Sequence, residues 1–157
     1  MGMQPIVGYN FGAQKIDRVK QTLKLGIVSG VVITSSGFFI CELFPHAVSA
    51  IFTDSDHLID LAVDGLRITV IMFPFVGAQI VIGNFFQSIG KAKISIFLSL
   101  TRQLLYLLPC LLLFPNWWGL KGIWISMPVS DALAFITAVI SLIIYIKKVS
   151  KQHPIAE

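Results

Sequence analysis

The sequence predicts an all-α, polytopic membrane protein: four transmembrane helices preceded by a short N-terminal helix end. Three observations predict it. Only 13% of the 157 residues are charged, against ~25% in ordinary soluble domains, and the mean hydropathy is +0.82. Four apolar runs each reach the ~20 residues that a helix needs to cross hydrocarbon. The loops between them alternate between basic and base-poor. A chain this short keeps most of its residues near the surface, so its few charges cannot coat a water-soluble globule. That excludes a soluble enzyme domain, a disordered tail and a disulfide-stapled secreted module. No basic stripe is interleaved with aromatics, which argues against a nucleic-acid partner. The expected surroundings are the lipid bilayer.

Residues 1–22 read as a helix end and a loop. Pro5, Gly8, Asn10 and Gly12 stand close together, as where a chain turns. The opening residues lack the Ser/Thr of a myristoylation signal and the apolar stretch of a removable leader. The first span covers about 23–44 and is free of charge from Leu25 to Cys41. The second covers about 59–89, with a charge-free core from Ile68 to Gly90. The third, about 94–114, is interrupted by Arg102; the fourth, about 117–146, by Lys121 and Asp131. Residues 147–157 form a basic tail, and 1–157 is a single membrane domain. Backbone groups have no water to bond in lipid, so each run must be a helix or a barrel strand. Barrel strands alternate over about 10 residues, and these runs do neither.

Loop charge orients the spans. Lys15, Arg18, Lys20, Lys24, Lys91, Lys93, Lys147, Lys148 and Lys151 fall on one side, and Lys121 alone lies near the other. The positive-inside rule places both chain ends in the cytoplasm, and Trp117 and Trp118 suit the outer interface. The expected location is the plasma (inner) membrane, multi-pass.

Charges inside a bilayer cost ~2.5–3.5 kcal/mol on insertion scales, so each needs a reason. Arg102 either snorkels toward the headgroups or makes an ion pair or cavity contact. Asp131, with one methylene, cannot snorkel far, and needs a polar cavity, a cation or a proton. On straight helices the two differ in depth by about 10 Å, so a direct pair requires tilt or kinking. Asp64 and Arg67, at i and i+3, suit an ordinary surface pair. Gln79, Asn84, Gln87 and Gln103 form a polar stripe. It reads either as hydrogen-bonded glue between helices, with Gly77, Ala78, Gly83 and Ser88 at the contact, or as the wet wall of a substrate cavity. Phe73, Phe75, Phe85 and Phe86 would add aromatic surface to such a cavity, suited to small amphipathic or bulky cationic compounds. Pro74, Pro109 and Pro128 are expected helix kinks. His46, His57 and His153 fall outside the spans and receive no role. No nucleophile–base pair, metal cluster or phosphate loop is present, so the sequence predicts neither an enzyme nor a metal site. Cys41 and Cys110 read as packed thiols.

Gln4-Pro5-Ile6-Val7-Gly8-Tyr9-Asn10-Phe11-Gly12-Ala13 resembles a signature of the MATE family, the multidrug and toxic compound extrusion transporters. The stretch from Phe85-Phe86-Gln87-Ser88-Ile89-Gly90-Lys91-Ala92 is similar to another motif of that family, and Leu100–Gln103 and Pro128–Asp131 match recurring patterns. The resemblance implies twelve helices in two six-helix lobes and alternating access to a central cavity. It implies export of drugs or other xenobiotics, coupled to inward Na⁺ or H⁺. The chain then corresponds to the end of helix eight and helices nine to twelve, with the N-terminal part of the transporter as its partner. On that reading the chain alone is inactive. Some branches of the family carry a cation-binding Asp on the helix resembling the second span, but residues 68–90 contain no acid. Two other readings remain: a small four-helix subunit or regulator acting by helix association, and a lipid or polysaccharide flippase of the same superfamily.

Overall fold

The computed structural model describes residues 2–152. Among these the regular elements are helical. Helix α1, Met3–Gly12, ends in two hydrogen bonds that wrap its last carbonyls: Gln14 N–H to Phe11 and Lys15 N–H to Asn10. This Schellman arrangement needs a left-handed residue at its centre, and Gln14 takes it at φ 59°. The chain re-enters a helix at once as α2, Ile16–Leu43. Val28, Val31, Val32, Ile33 and Thr34 are β-branched and favour strand in water. A span that cannot leave its backbone unbonded in lipid overrides that preference.

A short helix α3, Pro45–Ala50, and a turn lead to α4, Asp56–Thr69. Helix α4 continues through a 3₁₀ turn, Val70–Met72, into α5, Phe73–Ser88. The change of helix type lies just before Pro74, which has no N–H to return to the Val70 carbonyl. Together α4 and α5 make one bent crossing of 33 residues. It ends as α1 does, with Gly90 N–H bonded to Gln87 and Lys91 N–H to Phe86, and with Gly90 left-handed at φ 74°.

Helix α6, Ala92–Leu100, leads into a π-helical segment, Thr101–Leu107, and then α7, Leu108–Gln152. The apolar stretch Ala92–Val149 has 58 residues, far beyond one bilayer at ~1.5 Å per residue. It holds the third and fourth predicted runs and folds back at Gly119, whose φ 53° and ψ −133° no L-residue adopts readily. The two arms then touch. A Cβ on Gly122 would meet the Phe114 carbonyl, and Leu98 shares a buried cluster with Ala138 and Leu142. The π segment adjoins Pro109. The helix passes through Pro128 with no change of type, so two of the three expected kinks coincide with a change of helix type.

Two packing features hold the spans in place. At the lysine-bearing end, Val7 of α1, Leu23 of α2, Phe86 of α5 and Ala138 of α7 are buried in one cluster. Phe85 and Phe86 are 3% and 0% exposed, and Phe86 packs edge-on to Tyr145 at 5.5 Å. Both rings therefore belong to the core, and neither lines the polar cleft between the second and third spans. Midway along, α2 and α5 approach backbone to backbone, where a Cβ on Gly77 would collide with Thr34 Oγ1 and the Gly30 carbonyl. Gly26, Gly30 and Thr34 repeat every four residues along that face, the small-residue spacing that lets membrane helices close on each other. Of the residues expected at this contact, Gly77 lies in it, whereas Gly83 has open space around its Cα.

Candidate functional site: a polar cleft between the second and third spans

The Gly90–Lys91 turn sends α6 back along α5. Residues equally far from the turn therefore lie at similar depth, which sets Gln79 near Arg102 and Asn84 nearer the lysine-bearing end. A cleft of about 470 Å³ opens along this pair of helices. Gln79, Asn84 and Gln87 line one wall, and Arg102 and Gln103 the other. Five of the six polar candidates thus meet in one place. Ser95 and Ser99 line it too and carry no sequence expectation. Their signal is spacing: 95, 99 and 103 recur every four residues and so share one face of the third span.

The sixth candidate, Asp131, stands behind the cleft. Its Oδ1 accepts a hydrogen bond from Arg102 Nε at 2.8 Å, and its side chain is 10% exposed. The π segment that holds Arg102 has a wider turn and smaller rise than an α-helix and re-aims the side chains on it. The pair forms despite the depth gap expected on straight helices, with the long arginine stem reaching toward Asp131. A second bond joins the same arms, Tyr106 Oη with Thr137 Oγ1 at 2.8 Å. The pair leaves the cleft without net charge from its ionised groups. Gln79 is 7% exposed, and its Oε1 is buried without a hydrogen-bond partner. Such a group costs on the order of 1–3 kcal/mol if left unmatched.

The motif residues of α1 lie beside the cleft's end. Gln4 Nε2 donates to Gln87 Oε1 at 3.2 Å. Gly8 lets α1 approach the Ser88 carbonyl, to which a Cβ would stand at 3.2 Å. Asn10 Nδ2 bonds the Ile6 carbonyl within the helix at 2.8 Å. Tyr9, Pro5, Gly12 and Ala13 are exposed. Phe73 and Phe75 are also exposed and do not line the cleft. Arg67 pairs with Glu42 of the first span at 3.8 Å rather than with Asp64, because the bent second span brings its outer turn against α2. A larger cleft of about 860 Å³ at the lysine-bearing end is bordered by Phe11, Lys91, Tyr145 and Lys148, and none of the six polar candidates lines it. No cluster of three potential metal-ligating side chains occurs among the described residues. His153 lies outside them.

Comparison with known proteins agrees with this architecture. The MatE family model matches residues 1–112. The multidrug export protein MepA of Staphylococcus aureus (strain MSSA476) is 25% identical over 146 residues, covering 92% of this chain and 31% of its own. A solved structure described as protein A is 39% identical with a TM-score of 0.83, covering 89% of this chain and 31% of its own. The inward-facing conformation of a multidrug resistance MATE transporter is 19% identical with a TM-score of 0.88, over 95% of this chain and 35% of its own. The chain spans about a third of the length of these relatives. With the family model matching well over half of its residues, the chain belongs to the MatE family.

Proposed function

We propose that these spans form part of a MATE-type secondary transporter that exports small amphipathic or cationic compounds across the plasma membrane by antiport with Na⁺ or H⁺. The observation that carries the reading is the cleft lined by Gln79, Asn84, Gln87, Gln103 and Arg102 between the second and third spans. Amides used purely as glue between helices bond to one another, yet Gln79 Oε1 has no partner. Family membership and the multidrug export activity in the MepA name support the same reading. The basic side faces the cytoplasm, and so do both chain ends, because nine loop cations gather there against one on the other side.

The coupling ion binds elsewhere in the transporter. Asp131 is already engaged by Arg102, and residues 68–90 offer no acid. The rest of the cavity comes from the preceding spans of the machine, which this chain meets through its exposed apolar faces, and alone it does not transport. The test is ion-gradient-driven efflux of a cationic dye from inside-out vesicles. Vesicles carrying the chain joined to its upstream reading frame should extrude dye, and vesicles carrying the 157 residues alone should not. Absence of efflux from both contradicts the transporter reading, and efflux from the chain alone contradicts the partial one.

A further inference from the structure

The larger cleft at the lysine-bearing end has a charged mouth and an apolar interior. Lys91 stands at the mouth from the turn between the second and third spans, and Lys148 from the last turns of the fourth; both are exposed. Among the described residues no acidic side chain lines the cleft, and the ion pairs are Arg67–Glu42 and Arg102–Asp131, so neither lysine is matched there. Tyr145 adds a phenol one turn in from Lys148, its ring packed edge-on to Phe85 and Phe86. Beyond it the walls are apolar. Ile94 and Phe97 of the third span and Ile144 of the fourth continue the cleft away from the lysines, and Phe97 and Ile144 are 56% and 63% exposed. Phe97 lies two turns past Lys91, and Ser141 two turns before Lys148. At ~1.5 Å per residue both arms carry the cleft about 10 Å into the hydrocarbon.

This gradient selects one kind of occupant. The volume of about 860 Å³ falls in the ~300–1,000 Å³ range of sites for whole organic molecules. A small water-soluble anion would match the lysines and leave Phe97 and Ile144 uncovered. A neutral lipid would cover the walls and leave the lysines unmatched. A phospholipid with a net negative headgroup does both: its phosphate lies between Lys91 and Lys148, and the first carbons of an acyl chain follow Ile94, Phe97 and Ile144. On the orientation proposed above, the mouth opens on the cytoplasmic leaflet, whose anionic lipids attract basic clusters. We propose that this cleft binds one anionic phospholipid, with Lys91 and Lys148 holding its headgroup. Phe11 of α1 borders the same cleft, so the lipid joins the ends of three segments.

The chain joined to its upstream reading frame, purified in detergent, is given equal amounts of phosphatidylglycerol and phosphatidylcholine with identical acyl chains. Native mass spectrometry counts each lipid retained. One basic side chain beside an anionic headgroup is worth about fivefold in affinity. The wild type should therefore favour phosphatidylglycerol by about tenfold or more. Lys91→Gln with Lys148→Gln should bring the preference to within about twofold. Lys93→Gln with Lys147→Gln removes the same charge from the same end but outside the cleft, and should keep most of the preference. Glycerophosphoglycerol, the headgroup without its chains, should displace little of the lipid at millimolar concentration. Equal retention of the two lipids by the wild type overturns the proposal, and so do equal losses in the two double variants. Ready displacement by the chainless headgroup overturns it in favour of a soluble phosphate.

Discussion

Arg102 Nε and Asp131 Oδ1 lie 2.8 Å apart and tie the third span to the fourth. Each charge makes the other tolerable at that depth. Losing one partner strands the other in a low-dielectric site, whereas losing both leaves two neutral amides and no stranded charge. Arg102→Gln or Asp131→Asn alone should destabilise the bundle by about 2 kcal/mol, less than the ~3–5 kcal/mol of a fully buried pair because Arg102 is over a third exposed. The double variant should recover most of that loss. Unfolding of purified protein in detergent, read as a double-mutant cycle, checks it, and additive losses would deny the coupling.

Tyr106 and Thr137 provide a neutral contrast on the same two arms. Tyr106→Phe removes one interhelical hydrogen bond without stranding a charge. Its cost should be about 0.6 kcal/mol, the average for such bonds in membranes. The same unfolding measurement should rank it well below either charge variant.

Gly77 and Gly83 share a helix but not a neighbourhood. Gly77→Val must push α5 away from Gly30 and Thr34, and should cost about 1–3 kcal/mol by overpacking. Gly83→Ala meets nothing within 4 Å and should be neutral or stabilising by up to ~1 kcal/mol through helix propensity. Thermal midpoints of the two variants should move in opposite directions or differ clearly in size.

Gln14 and Gly90 occupy the same left-handed place in two equivalent turns. Gly90→Ala should destabilise by about 1 kcal/mol, and Gln14→Gly should stabilise by somewhat less, since glycine also gains unfolded-state entropy. Proteolysis at the lysine-bearing end should follow the same order.

How far the molecule could be read from its residues depends on which interaction set each feature. Apolar run length locates helices because lipid leaves the backbone no other partner, and the bent crossing Asp56–Ser88 lies close to the run from 59 to 89. Pro74 and Pro109 mark two places where the helix type changes, because a missing N–H is a local fact. Pro128 shows that the same local fact need not change the type. The π segment was not legible, since hydropathy carries no information on hydrogen-bond register. The partner of Arg67 was likewise tertiary: Glu42 reaches it across two spans, whereas sequence proximity points to Asp64. The amides Gln79, Asn84, Gln87 and Gln103 were visible as a stripe, but their meeting with Arg102 in one cleft depends on how the Gly90 turn sets α6 against α5.

On the transporter reading this cleft is a wet, ligand-facing surface and not a lipid-facing seam. Single cysteines at Asn84 and Gln103, in a chain with Cys41 and Cys110 changed to Ala, test it by labelling with a membrane-impermeant maleimide in nanodiscs. Leu105, exposed at 61% and outside the cleft, is the control. Positions 84 and 103 should label, an added cationic rhodamine dye should protect both, and position 105 should stay unlabelled. Positions 84 and 103 behaving as position 105 does, or labelling without any protection by the dye, would contradict it.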